Sequence, residues 1–237
     1  TKILIAFNII LYSLVLQRSV SWAYNLSYPL FILETLLLAY TISSLRFHKF
    51  MFDCMKEMNA EISITNAYYF PYVETAHNDS EGLLQDIAKK ASVVVTDDYP
   101  TYFVPQMTAK ASGEISTRYE LVDSNGLVPI RLSSKEYVRA HDFRRYLHKN
   151  LEDFITEVPD KFPLETLKIK FDEKLISSTG KKWQPFDFKN TNIDKFLDSL
   201  DIDKTVGVSS IEGGYMKASN RFDNFLSEGF SDYAQFS

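Results

Sequence analysis

Two adjacent carboxylates, Asp97 and Asp98, stand shortly after the valine run Val93–Val95 in the stretch VVVTDDYPTYFVPQM. The β-branched run predicts a buried strand that ends at these acids. Ligands of an open parallel sheet bind at the carboxyl ends of its strands, so both carboxylates would lie at the functional edge. The same residue types also form turns and cap helices. The sequence leaves both roles open and favours the structural one.

A second group of residues could bind phosphates. The segment SKEYVRAHDFRRYLHKNLEDFI predicts a basic helix studded with aromatic residues. Arginine and lysine beside aromatic side chains suit a nucleic-acid backbone. Acids interspersed in the same segment dilute this signal, and the pattern favours a solvated face held by salt bridges. The candidate phosphate contacts are Arg139, Arg144, Arg145 and Lys149.

Other kinds of site are excluded by spacing. The histidines at 48, 77, 141 and 148 do not have the spacing of a metal site, and no nucleophile–base arrangement can be identified. The eight glycines are scattered, with only Gly213 and Gly214 adjacent, so a phosphate-binding loop is not predicted. The single Cys54 excludes a disulfide framework or a multi-cysteine metal site, and its apolar surroundings predict a core thiol.

The composition is that of a globular protein. A chain of 237 residues with 45% hydrophobic residues can bury the core of one large domain or of a domain and a half. A net charge of -5 argues against a surface that is coated by nucleic acid, so any such contact would be local. Ile3–Leu16 is apolar but too short to span a bilayer and lacks the flanks of a signal peptide, so a buried strand and an intracellular protein are expected. Because the first residue is Thr1, we expect the true start to lie upstream.

Alternating elements position these residues. After the first strand, SVSWAYNLSYPLFILETLLL predicts a buried helix, interrupted at Pro29, that leads to a strand near 36–42. SLRFHKFMFDCMKEMNAEI predicts an amphipathic helix whose buried face includes Phe47 and Phe50. A strand at Ile62–Thr65 and a helix capped by Ser80 follow, and then the valine strand. This order is typical of an α/β fold with a parallel sheet.

The second half of the chain is less regular. Tyr119–Val122 predicts a further strand, followed by a turn and the basic helix. From Pro159 to about Lys189 the periodicity is lost, which predicts a long extended connection. The block GGYMKASNRFDNFLSEGFSDY predicts a helix after the Gly213-Gly214 turn.

Four stretches in this order resemble the photolyase/cryptochrome superfamily, and most closely the class II cyclobutane-pyrimidine-dimer photolyases. They are LQRSVSWAYNLSY, with Gln17 and Asn25; LRFHKFMFDCMKEM, with Arg46 and Phe50; ASVVVTDDYPTYFVPQM; and VDSNGLVPIRLSSKEYVRAHDFRRYLHKNL. In the last stretch the residues that match the family signature are Asp123, Asn125, Val128, Pro129, Ser133, Lys135, Tyr137 and Arg144.

The resemblance implies a fold and a domain order. It implies a Rossmann-like parallel sheet flanked by helices in an antenna domain at 1–158. An extended interdomain linker at 159–203 would follow, and then a short helical segment at 204–237 that begins an FAD-binding domain. The family continues beyond Tyr233, so we expect this chain alone to lack most of the catalytic half. Two departures are a serine, Ser21, where the family usually has an arginine, and a short stretch at Glu34–Ser44.

The resemblance also implies a chemistry. In this family light absorbed by reduced FAD drives an electron into a pyrimidine dimer, while the protein binds and orients the reactants. The resemblance places four residues at the edge of the FAD: Gly213, Gly214, Arg221 and Tyr233. Asp97 and Asp98 would lie near an antenna pocket, for a deazaflavin or a folate-type chromophore, or at a domain interface. Helix capping and packing by Gly213 and Gly214 is an equally open role, and no metal is expected.

Two functions follow from the resemblance. The first is light-dependent repair of pyrimidine dimers, a carbon–carbon lyase reaction with DNA as the partner. The second is a non-catalytic, photolyase-derived domain that serves as a structural or binding subunit of a larger assembly. A protein partner would then cover the apolar face that the helical domain covers in the family.

Overall fold

The computed structural model of the chain describes residues 3–7, 14–36, 44–76, 79–126, 128–155 and 160–233. Within these residues five strands form one sheet in the order β3-β2-β1-β4-β5. Every neighbouring pair of strands is parallel. The α/β class with a parallel sheet is therefore confirmed. The strands are β1 (Ile3–Phe7), β2 (Leu30–Leu36), β3 (Tyr68–Val73), β4 (Ala91–Asp97) and β5 (Arg118–Val122).

One helix connects each strand to the next, as parallel pairing requires. These connecting helices are α1 (Leu14–Leu26), α2 (Leu45–Ser63), α3 (Leu83–Ala88) and α4 (Val104–Glu114). The chain then continues through α5 (Ala140–Asn150), α6 (Thr179–Lys182), α7 (Ile193–Ser199) and α8 (Tyr215–Asn224). A π-helical turn, Phe225–Gly229, extends α8.

Both faces of the sheet are buried, and β2 shows this by alternation. Leu30 and Ile32 pack in one cluster with Val20 of α1 and Ile62 of α2. Phe31 and its neighbours on the other face pack against α3 and against residues near 171–183. Successive side chains of a strand point to opposite faces, so a strand covered on both sides is apolar almost throughout.

The predicted amphipathic helix α2 is present, but its buried face differs from the predicted one. Phe47 and Phe50 are 53% and 40% exposed. The buried stripe instead consists of His48, Phe52, Met55 and Ile62. Residues four, seven and fourteen positions apart share one side of a helix; at about 100° per residue Phe47 lies beside that side and Phe50 lies nearly opposite to it. The prediction was wrong because apolar residues outside that side were counted as core.

Several predicted boundaries are also wrong. The strand expected at Ile62–Thr65 is absent, because α2 continues to Ser63 and β3 begins only at Tyr68. Pro29 does not interrupt a helix but directly precedes β2 at Leu30–Leu36. Most of the strand expected at 36–42 lies outside the described residues.

The start of α3 and the first predicted strand are also corrected. Gly82, with a φ of 84°, precedes α3 in the cap position expected for Ser80. The hydroxyl of Ser80 instead donates to Glu74, at 3.1 Å. The predicted strand Ile3–Leu16 is confirmed only at Ile3–Phe7, because Leu14 already begins α1.

The segment after α5 is not extended. It forms short helical turns, and its apolar residues are buried against the sheet and α2. The segment is therefore part of the packed structure, while domain limits at 158 and 203 stay predictions. The buried residues are Leu164, Leu167, Phe171, Ile176, Trp183, Leu197 and Leu200.

None of the helices in the described part of the chain has the length and apolar character needed to span a bilayer.

Candidate functional site

A cleft of about 500 Å³ opens between α4 and the end of β5. It exists because α4 packs loosely: all of α4 is described, and none of its residues is buried. Pro105 in the first turn and a polar composition give α4 no apolar stripe with which to cover the sheet. The cleft is lined by Asp98, Pro100, Pro105, Thr108, Ala109, Ser112, Tyr119, Leu121, Ile130 and Arg131.

An ion pair closes one side of this cleft. Arg131 donates to both carboxylate oxygens of Asp98, from Nε at 2.7 Å and from a terminal nitrogen at 3.0 Å. This two-bond geometry is the favoured pairing of arginine and carboxylate. Asp98 also donates its backbone N–H to the carbonyl of Val122, at 2.8 Å, and so extends the pairing of β4 with β5. Hydrogen bonding by Asp98 raises the pKa of the Arg131 guanidinium.

The loop after β5 is held by a network of short-range bonds. Asn125 donates its side-chain amide to the carbonyl of Asp98, at 2.7 Å, and to Asp123, at 3.1 Å. The other oxygen of Asp123 accepts the N–H of Ile130, at 2.6 Å. Ser124 donates its hydroxyl to Asp97. Asp97 and Asp98 thus bind the neighbouring loop and its arginine, a structural role that is neither a turn nor a helix cap.

Hydroxyl groups supply the remaining polarity of the cleft. Tyr119 stands on β5, and burial raises its pKa to about 12, with a hydrogen bond to Thr96 opposing the rise. The phenol is therefore neutral over the physiological range. Thr108 and Ser112 line the wall formed by α4. Neutral hydroxyls and a paired guanidinium suit the binding of a polar ring better than acid–base chemistry.

The helix α5 carries the predicted phosphate contacts on an exposed surface. Arg139 lies at its start, and Arg144, Arg145 and Lys149 lie along it, all exposed. Among the described residues none of these four cations forms an ion pair. The solvated face favoured by the sequence is therefore confirmed, whereas the salt bridges expected on it are absent from the described residues. The one acid of α5, Asp142, forms no ion pair with these cations.

The Gly213-Gly214 turn lies against α2, away from the cleft. A Cβ at Gly213 would stand 2.2 Å from the carbonyl oxygen of Phe50 and 2.9 Å from the Cys54 sulfur. Gly214 has a φ of 122° and donates its N–H to Cys54, which is half-buried between α2 and this turn rather than in the core. Burial raises the pKa of the Cys54 thiol.

The carboxylate of Glu57 fixes the start of α8. It accepts the N–H of Met216, at 2.7 Å, and so supplies a negative group to the first turn of that helix. Arg221 and Tyr233, the other predicted cofactor contacts, are exposed on α8 and beyond it. Arg221 and Tyr233 thus stand open to solvent in the described structure, whereas a flavin is enclosed on several sides.

Sequence reasoning missed two features of importance. Arg131 was not singled out, although its position just after Val128-Pro129 was a signal. Glu34 was not singled out either, although it is the lone acid in the apolar run LFILETLLL. It accepts a hydrogen bond from Tyr69, and burial raises its pKa to about 7.

No protein-family model matches the chain, and no curated protein matches it. In the described part of the chain, no group of three or more histidine, cysteine, aspartate or glutamate side chains could hold a metal ion.

Proposed function

We propose that the chain is the α/β part of a class II photolyase-like protein that repairs pyrimidine dimers in DNA with light. One observation carries this proposal: residues from two separate resembling stretches interlock. Asp97 and Asp98 of the first stretch bind Ser124 and Asn125 of the second. If the resemblance reflects a family relationship, residues of two family motifs are expected to contact each other in the fold. If the resemblance arose by chance, no contact between the two stretches is expected.

The sheet supports the same proposal. A parallel order of β3-β2-β1-β4-β5 has its topological switch point between β1 and β4, as in a Rossmann-like domain. Ligands of such sheets bind beyond the carboxyl ends of the strands near this point. The cleft that Asp98 and Arg131 close lies between α4 and the edge strand β5, beside the end of β4 and one strand away from this point, and it is the place for an antenna chromophore in this proposal.

The residues that would face FAD provide one side of its site. Gly213 and Gly214 allow the chain to approach α2 closely, while Arg221 stands exposed on α8 and Tyr233 stands exposed beyond its end. The remaining enclosure would come from a helical domain. FAD would supply the light-driven electron.

The second candidate function is a non-catalytic, photolyase-derived subunit. It is favoured by apolar side chains that stand exposed at the end of the chain. Phe222, Phe230 and Tyr233 are 58%, 60% and 58% exposed. Such a patch marks a surface that another domain or protein covers.

The deciding experiment is the visible absorption spectrum of the purified protein, before and after the addition of FAD. With the helical domain that completes the site present, the repair proposal predicts a structured flavin band that resists dialysis, followed by loss of dimers from irradiated DNA under blue light. A dark incubation and an undamaged duplex are the controls. A colourless protein that takes up no FAD and repairs no dimer would remove catalysis by this chain and leave the subunit function.

A further inference from the structure

The outward side of α5 presents a continuous basic surface. Arg144, His148, His141, Arg145 and Lys149 fall within an arc of about 140° at 100° per residue. All five side chains are exposed. We call these five residues the α5 basic face.

The opposite side of α5 is anchored to the protein. Tyr146 donates its hydroxyl to the carbonyl of Leu132, at 3.0 Å. The ring of Tyr137 lies 5.5 Å from that of Phe143 and 5.4 Å from that of Tyr146. These contacts fix the rotation of the helix, so the α5 basic face points away from the body of the protein.

The cations of this face repel one another. Arg145 and Lys149 are four residues apart, and like charges at this spacing destabilise a helix. Within the described residues no carboxylate forms an ion pair with any of them. Arg145 forms a 3.0 Å hydrogen bond with Nε2 of His141, which leaves its positive charge uncompensated. An anionic partner would offset this repulsion.

The chemistry of the face selects the kind of partner. A helix that lies on a membrane has large apolar side chains beside its cations. The α5 basic face has none within its arc, since Phe143, Tyr146 and Leu147 lie on the anchored side. Arginine guanidinium groups bind phosphate through paired hydrogen bonds. The net charge of -5 repels a polyanion elsewhere on the protein, which confines binding to this local face.

We propose that the α5 basic face binds the phosphate backbone of duplex nucleic acid without reading its sequence. Arg144, Arg145 and Lys149 contact the phosphates, and His141 and His148 lie beside them on the same face. This inference extends the proposed repair function by naming a surface that holds DNA. It also stands without repair, because backbone binding needs neither a dimer nor light.

The test is fluorescence anisotropy of a labelled, undamaged duplex in the dark, over a series of salt concentrations. The variant replaces three cations together: Arg144→Gln, Arg145→Gln and Lys149→Gln. At about 100 mM salt we expect the affinity of this variant for duplex to fall at least about 10-fold. The slope of log affinity against log salt concentration should decrease in magnitude by about 3, since each phosphate contact contributes about 0.9 to that slope.

The matched control removes the same charge elsewhere. It carries Lys170→Gln, Lys181→Gln and Lys195→Gln, three exposed lysines outside α5, and should bind within about two-fold of the unchanged protein. A second variant, Arg144→Lys with Arg145→Lys, keeps the charge and should retain most of the salt slope. Circular dichroism of each variant verifies that α5 remains folded.

Three outcomes would overturn the proposal. They are equal losses in the triple variant and in its control, no binding of duplex by the unchanged protein, or preferential binding to vesicles of anionic phospholipid. If the protein binds duplex but does not repair dimers, the proposed repair function is wrong and the proposed binding surface stands. If the protein repairs dimers but its α5 basic face does not bind duplex, the proposed surface is wrong and the repair function stands.

Discussion

Glu34 should make the stability of this protein fall as pH rises from 4.5 to about 7. Its carboxyl group lies on β2, bonded to the hydroxyl of Tyr69 on β3 and close to Cys54 of α2. Burial raises its pKa from 4.5 to about 7. Between these two values the folded state holds a proton that the unfolded state has released. The free energy of unfolding therefore decreases as pH rises from 4.5 to about 7, and the loss is complete above that range.

The magnitude follows from the size of the pKa shift. One pKa unit corresponds to about 1.4 kcal/mol, so ionised Glu34 destabilises the fold by up to about 3 kcal/mol. The change Glu34→Gln keeps the shape and a hydrogen-bonding partner for Tyr69 but cannot ionise. At pH 8 we expect the variant to be more stable than the unchanged protein by up to that amount, and at pH 4.5 the two should be nearly equal.

The assay is urea unfolding followed by tryptophan fluorescence, at several pH values between about 4.5 and 8. Glu81→Gln is the matched control, because Glu81 is exposed and its change should alter stability little at any pH. A difference between Glu34→Gln and the unchanged protein that stays constant over this range would refute the argument. So would a variant that is less stable at pH 8.

Further predictions concern the backbone and the cleft. Gly213→Ala should destabilise the packing of α8 on α2 by about 1–3 kcal/mol, since its Cβ would collide with the backbone of α2. Hydrogen exchange of the α8 amides measures this loss, and Gly207→Ala is the control because the space at Gly207 is open. Equal exchange rates in the two variants would contradict the prediction. Ser27, with a φ of 54°, ends α1 in the left-handed region. Ser27→Gly should raise stability by about 1 kcal/mol in urea unfolding, and a loss would contradict the strain. A double-mutant cycle of Asp98→Asn and Arg131→Gln should give a coupling below about 1 kcal/mol, because the arginine is exposed; a larger value would show a desolvated pair.

The parts of the fold that the sequence predicted have a strong local signal. The valine run predicted β4, and the apolar residues at helical spacing from Leu45 to Met58 predicted α2, because each pattern has the period of its element. The helix α4 was missed because no residue of it is buried and its sequence has no apolar period. The turns after residue 160 were missed for a related reason, since they are too short to show a helical period.

The candidate site was predicted only in part, because it depends on strand order. Asp98 and Arg131 are 33 residues apart, and nothing local in the sequence joins them. Their contact follows from the pairing of β4 with β5, which brings the loop after β5 beside the end of β4. Glu34 gave a weak signal, an acid in an apolar run, but its hydrogen-bond partner depends on the register of β2 with β3.

The late part of the chain completes the core of the early part, and this fixes an order of events during synthesis. The ring of Phe171 packs at a tilt against that of Phe31, with ring centroids 5.5 Å apart. The indole N–H of Trp183 donates a hydrogen bond to the carbonyl of Asp79, which lies 104 residues earlier in the sequence. One side of the sheet therefore remains covered only by α3 until residue 183 has left the ribosome. Contacts so distant in sequence form slowly, and an apolar sheet face that waits for them is prone to aggregate. A nascent chain stalled before Trp183 should consequently need a chaperone that the completed chain does not.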